Sequence, residues 1–308
     1  MRIVSLLPAA TEILYAIGAG PEVVGVTHEC DFPSEATQKP AVIRPRVDPA
    51  APQEELDRQV RELSERGESI YAVDGELLED LAPDLIVTQD LCHVCAASSD
   101  DLAASLSRLP PSRRPRVVTF TPHMLADVWH GIRLIAEAAG RLDEGNALAT
   151  RLAKQVAEIR DRVAASPGQP RVLCLEWFAP PFFAGHWVPE MVRLAGGKDV
   201  LGYEGQPSVA VTWEQILNQR PDLIALMPCG YNLARTVEVW KLACPPAGWS
   251  ELPAVRNGRV YAVDGNGYFS RPGPRLVEGL ALLASLLHPE QFSSNDVGVP
   301  AEGAACRV

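Results

Sequence analysis

Cys92-His93-Val94-Cys95 is the sharpest chemical feature of the sequence. Two thiols three positions apart, with an imidazole between them, can hold a soft or borderline metal ion. His28 and Cys30 stand just beyond another apolar run and add two more potential ligands. His28, Cys30, Cys92 and Cys95 together would make a zinc site of the Cys3His kind. Two other readings of the thiol pair stay open: a redox couple, for which the motif should open a helix, and small buried hydrophobes. A covalent c-type haem is excluded, because Ala96 stands where the histidine after the second cysteine would be needed. Cys174 and Cys229, in or just after apolar runs, read as core.

A second group is aromatic. Trp177, Phe182, Phe183, Trp187, Tyr231, Tyr268 and Phe269 fall in segments that follow apolar runs in the second half of the chain, and Phe32 does so in the first. Such rings can stack on a flat ligand or fill a core. Trp187, placed after Gly185-His186 in a predicted loop, favours ligand contact. Pro8, Ala9 and Thr11 open the first such segment, and His93 lies in another. Nothing resembles a nucleophile elbow, a phosphate loop or a zinc-protease helix, so an enzyme is the lesser expectation. Its form would be thiol-assisted removal of a cofactor's axial ligand by Cys92 or Cys95.

The elements that must position these groups are short apolar strands alternating with amphipathic helices. Strands are predicted at residues 3–7, 23–27, 85–88 and 116–120, then at 171–175, 223–227 and 259–263. Each is a continuous apolar run, as parallel strands covered on both faces require. The class is α/β. In such sheets ligands sit beyond the carboxyl ends of the strands, where the thiols, imidazoles and rings fall.

The chain also repeats itself. Thr11-Glu12-Ile13-Leu14 with Gly18 and Val24-Gly25 answers to Pro189-Glu190-Met191-Val192 with Gly196 and Leu201-Gly202. Glu76 with Pro83-Asp84-Leu85-Ile86 answers to Glu214 with Pro221-Asp222-Leu223-Ile224. Ser107-Arg108-Leu109-Pro110 with Arg116-Val117 answers to Ser250-Glu251-Leu252-Pro253 with Arg259-Val260. Three matches in one order predict two similar parallel-sheet lobes with a ligand cleft between them. The expected division is an N-terminal lobe over 1–124, a connecting helical segment over 125–166 with a weak point at Gly140, a C-terminal lobe over 167–289 and a flexible tail over 290–308 that holds Cys306. A helical connector is stiff, so the lobes are expected to move little.

Composition narrows the partners. The 308 residues carry a formal net charge of -11, which argues against nucleic acid. At 47% hydrophobic and 22% charged the chain reads as an ordinary soluble protein, and no apolar run approaches the roughly 18 residues of a membrane span. Met1–Pro8 reads as a strand rather than a secretory signal, and seven cysteines fit reduced thiols. The expectation is cytoplasmic, or periplasmic if a signal has been removed.

Ser5-Leu6-Leu7-Pro8-Ala9-Ala10-Thr11-Glu12, Val24-Gly25-Val26-Thr27 and Pro180-Pro181-Phe182 leading to Ala195-Gly196-Gly197 resemble the class III periplasmic binding proteins of ABC importers, most of all the cobalamin-binding branch. The resemblance covers roughly residues 1–288. It implies two α/β lobes joined by one long helix, with a corrinoid, a haem or a ferric siderophore as ligand. Cobalt of a bound cobalamin would then be open to an imidazole or a thiolate. The resemblance also implies that Glu76 and Glu214 face arginines of a permease. The alternative for both is local: Asp74 and Thr212 can cap helices, and a glutamate in the first turn suits the helix dipole. Storage, delivery or sensing of a corrinoid is the leading expectation, and a haem or ferric-chelate importer component is the next.

Overall fold

The structure is a computed structural model that describes residues 1–89, 99–107, 110–292 and 304–308. Cys92, His93 and Cys95, and Arg108 and Leu109 of the third repeat, lie outside the described residues. The chain divides into two compact units: Met1–Pro122 with Ala126–Arg151 (unit 1), and His123–Leu125 with Leu152–Val308 (unit 2).

Unit 1 begins with β1 (Ile3–Ser5), whose residues are all buried, and α1 (Pro8–Ala16). Proline suits the first helical position because its missing N–H would find no partner there. Gly18, at φ +79°, closes the helix in the left-handed conformation a side chain disfavours. Then follow β2 (Val23–Thr27), β3 (Ala41–Pro45), α2 (Gln53–Glu65), β4 (Tyr71–Val73), α3 (Gly75–Leu81), β5 (Leu85–Thr88), α4 (Ser99–Ser107) and β6 (Arg116–Thr119). The sheet order is β4-β3-β2-β1-β5-β6, parallel except for the β3–β4 pair. β3 and β4 are not foreseen from sequence: one ends in proline and the other is three residues long, too short to show a period.

The helical segment after β6 is two helices, α5 (Leu125–Ala138) and α6 (Leu142–Val163). The break falls at the predicted weak point, Gly140, at φ +68°. Gly145 does not interrupt α6. A Cβ there would lie 2.2 Å from the Cβ of Ala136, so glycine is what lets the two helices approach.

Unit 2 continues with β7 (Arg171–Phe178), β8 (Pro181–Phe183), α7 (Val188–Leu194), β9 (Lys198–Asp199), β10 (Val209–Ala210), α8 (Trp213–Gln219), β11 (Leu223–Leu226), α9 (Leu233–Leu242), α10 (Pro253–Arg256), β12 (Val260–Val263), α11 (Gly265–Tyr268), α12 (Leu276–Leu287) and β13 (Ala305–Arg307). The order is β10-β8-β7-β11-β12-β13, with β9 also on β7. β7, β9, β11 and β12 are mutually parallel, whereas β8, β10 and β13 run antiparallel to their neighbours. Leu173, Leu175, Ile224, Leu226 and Val260 form the core with Phe178, flanked by Trp213, Trp240 and Trp249.

One expectation needs correction. Cys306 does not sit in a loose tail: β13 pairs backbone to backbone with β12, Cys306 opposite Ala262, and covers an edge that would otherwise stand open. Pro181-Phe182-Phe183 forms a strand folded back on β7, which was not foreseen; proline is tolerated at the first position of a strand. No helix among the described residues is long and apolar enough to cross a membrane.

Candidate functional site

Among the described residues, the structure sorts the side chains singled out in each unit into core and surface. In unit 1, Thr11 is fully buried and its hydroxyl donates to Ser5 Oγ over 2.9 Å. Cys30 Sγ lies 3.1 Å from that hydroxyl and 3.3 Å from Thr27 Oγ1, and the residue is buried. Thr11, Cys30 and buried Ala9 therefore knit the ends of β1 and β2 together. They are corrected from ligand or metal contacts to core, while Pro8 is half-buried.

His28, two residues before Cys30, is different. Its backbone follows β2 and its Nδ1 lies 3.1 Å from Ile43 O of β3. Donation from Nδ1 to that carbonyl leaves Nε2 as the nitrogen with the lone pair, the arrangement of a metal-ligating histidine. Nε2 is 3.9 Å from Glu29 Oε1, which also accepts from Tyr71 Oη over 3.2 Å, and the His28 and Tyr71 rings lie 5.7 Å apart. Glu29 and Tyr71 were not expected from sequence: they meet across 42 positions of the chain. Phe32 leaves 46% of its surface exposed. A cavity of about 210 Å³ lies where Thr88, Gln89 and Thr119 meet Leu102 and Leu106 of α4.

In unit 2 the rings divide more sharply. Trp187 is buried and its indole N–H donates to Phe269 O over 2.8 Å; Phe269 is itself 2% exposed. Both are corrected from ligand contacts to core, because the indole's polar atom is satisfied inside the fold. Tyr231 is also buried, between Trp177 (ring centres 5.6 Å apart) and the Arg235 guanidinium at 5.5 Å. Trp177, Phe182, Phe183 and Tyr268 are half-buried and remain the accessible aromatic set. Burial pushes the Tyr268 hydroxyl up, helped by the carboxylates of Glu278 and Asp264, so it stays a neutral donor.

The second repeat folds twice in the same way. α3 and α8 are both seven residues long, capped by Asp74 accepting from Leu77 N and by Thr212 in a capping box with Gln215. Glu76 and Glu214 occupy their first turns and are exposed. Both helices end on a non-glycine residue of positive φ, Ala82 at 41° and Arg220 at 46°. The next strand is then fastened by matching contacts. Asp84 Oδ2 accepts from Arg2 N over 2.7 Å and Arg2 Nε donates to Leu81 O; Asp222 Oδ2 accepts from Arg171 N over 2.9 Å and Arg171 Nε donates to Gln219 O. The correspondence of Arg2 with Arg171 went unread, although Arg2 stands directly before β1 and Arg171 opens β7.

Among the described residues no group of three or more His, Cys, Asp or Glu converges as a metal ion would need. The described cysteines, Cys30, Cys174, Cys229, Cys244 and Cys306, are free thiols. Burial raises the Cys174 thiol well above its ordinary value, with Asp199 and Glu176 adding to the shift, so it is inert.

A family model described as periplasmic binding protein matches residues 3–266. The uncharacterized ABC transporter substrate-binding lipoprotein YvrC of Bacillus subtilis (strain 168) is 27% identical over 296 residues, 94% of this chain and 81% of that protein. A vitamin B12-binding protein of Vibrio cholerae (strain M66-2) is 24% identical over 294 residues, 93% of this chain and 88% of its own. Among solved structures, the periplasmic heme-binding protein RhuT from Roseiflexus sp. RS-1 in apo form superposes with a TM-score of 0.69 at 24% identity, covering 94% of this chain and 99% of that one.

Proposed function

The chain belongs to the periplasmic binding protein family, and on that footing we propose that it captures a corrinoid, cobalamin or a close relative, and presents it to the permease of an ABC importer. It is a substrate-binding protein and not an enzyme. The observation that carries the corrinoid reading is the match to a vitamin B12-binding protein over 93% of this chain, which runs through both units.

The chemistry of the surface groups agrees with a metal macrocycle. Phe32 in unit 1, and Trp177, Phe182, Phe183 and Tyr268 in unit 2, are the rings proposed to lie against its faces and edge. His28, with Nδ1 held at the Ile43 carbonyl, is the proposed axial ligand through Nε2. Glu76 and Glu214 are the proposed points of contact with permease arginines. We place the protein's work outside the cytoplasm, the setting for which the family is named; recovery from its native host with the cytosolic fraction would contradict that.

Hydroxocobalamin, whose upper ligand exchanges, provides the test. Binding with a shift in its visible bands is expected for the unchanged protein, with about tenfold weaker binding and no shift for His28→Ala. An identical shift in His28→Ala would remove His28 as ligand. Haemin bound in place of every corrinoid offered would transfer the reading to the haem binders that share this fold.

A further inference from the structure

His123 and His186 stand outside everything assigned so far. Their ring centres are 6.0 Å apart with planes tilted by 35°, and both residues belong to unit 2. His186 lies in the loop between β8 and α7 at φ +53°, a left-handed conformation that costs a residue with a Cβ about 1 kcal/mol or more. The strain is held in place from both sides: Gly205 N donates to His186 O over 2.9 Å, and His186 N donates to Gln206 O. At Gly185, the preceding residue, a Cβ would come within 2.3 Å of Ser208 N, so the loop accepts only glycine there. On the other side, Leu125 N donates to Glu190 Oε2 over 2.9 Å, which fixes the short segment carrying His123 against α7. Two loops from distant parts of the sequence are thus pinned so that two imidazoles lie with their ring centres 6.0 Å apart.

We propose that His123 and His186 form a two-imidazole site for a borderline divalent cation such as Zn2+, with its remaining positions taken by water or by an incoming donor. With metal–nitrogen bonds of about 2.1 Å, two imidazoles on one tetrahedral ion have ring centres about 5.3 Å apart. The observed 6.0 Å is close enough for rotation of the two side chains to bring a nitrogen of each onto one ion. Because no third His, Cys, Asp or Glu joins the pair among the described residues, the ion would be bound openly and exchangeably, unlike a closed structural site. The site is independent of the corrinoid reading and of His28.

Zinc titration of the untagged protein by calorimetry tests it. About one equivalent should bind, and both His123→Gln and His186→Asn should weaken that binding tenfold or more. Asparagine is chosen because it tolerates positive φ; a far-ultraviolet spectrum matching the parent shows that each variant is folded. The Cys92→Ser/Cys95→Ser double variant should retain the site. Absence of zinc binding, persistence of the site in either histidine variant, or its loss with the two cysteines would each overturn the assignment and leave the rings as a packing contact.

Discussion

In unit 1 the order β2-β1-β5-β6 is parallel throughout, and in unit 2 β9-β7-β11-β12 repeats it. The arginine–aspartate fastening of the first strand to the next parallel strand recurs as well, with its helix, cap and first-turn glutamate. What surrounds the frame differs. Unit 1 extends β2 with β3 and β4 and brings His28, Glu29 and Tyr71 together there; unit 2 folds β8 and β10 back over β7 and places aromatic side chains on that hairpin. The same parallel core therefore supports a polar edge in one unit and an apolar, ring-bearing one in the other.

The carboxylates just after the first helix of each unit sharpen the contrast. Glu22, before β2, is paired with Arg141 at 2.7 Å. Asp199, in β9, accepts instead from the backbone N–H of Leu201 and Gly202, and its burial lifts its pKa to about 6 against those two hydrogen bonds.

The largest expected effect concerns the rings. Trp187→Ala should destabilise the protein by about 3–5 kcal/mol, whereas Phe32→Ala should change stability by about 0.5 kcal/mol or less. Denaturant unfolding measures both, and a Trp187→Ala protein of parental stability would undo its assignment to the core. Next is the pH response of Asp199. From an unfolded value of 3.8 to a folded value of about 6, the native state holds more protons than the unfolded chain. Stability should therefore be full below about pH 4 and fall by about 3 kcal/mol as pH rises through 6. Asp199→Asn should flatten that slope, and an Arg141→Ala control should leave it in place.

The fastenings come third. Asp222→Ala, in the half-buried copy, should cost about 1–2 kcal/mol and Asp84→Ala, in the exposed copy, about 0.5–1 kcal/mol; equal costs would mean that exposure does not distinguish them. The smallest stability effect, about 0.5 kcal/mol or less, belongs to Glu76→Ala and Glu214→Ala. Their consequence should appear only in uptake assays with the permease, where import falls while ligand affinity is unchanged.

Much of the frame was legible in the sequence because parallel strands buried on both faces leave continuous apolar runs: Leu85–Thr88 and Val23–Thr27 lie where they were drawn. The added strands were not, since Tyr71–Val73 and Pro181–Phe183 owe their conformation to neighbours distant in sequence. Thr11 and Trp187 were misassigned for a related reason. A hydroxyl or indole after a strand looks available until its partner is known: Ser5 Oγ, six residues back, for Thr11, and Phe269 O, 82 residues on, for Trp187. His28 was singled out from its type and position alone, and the carbonyl beside its Nδ1 comes from β3, a strand the sequence did not reveal.

The most direct test is an equilibrium titration of the purified protein with cobalamin, followed by calorimetry. Saturation at about one equivalent with a dissociation constant in the micromolar range or below, weakened when Trp177 and Phe182 are replaced by alanine, is the predicted result. No heat and no retained colour with any corrinoid offered would contradict it.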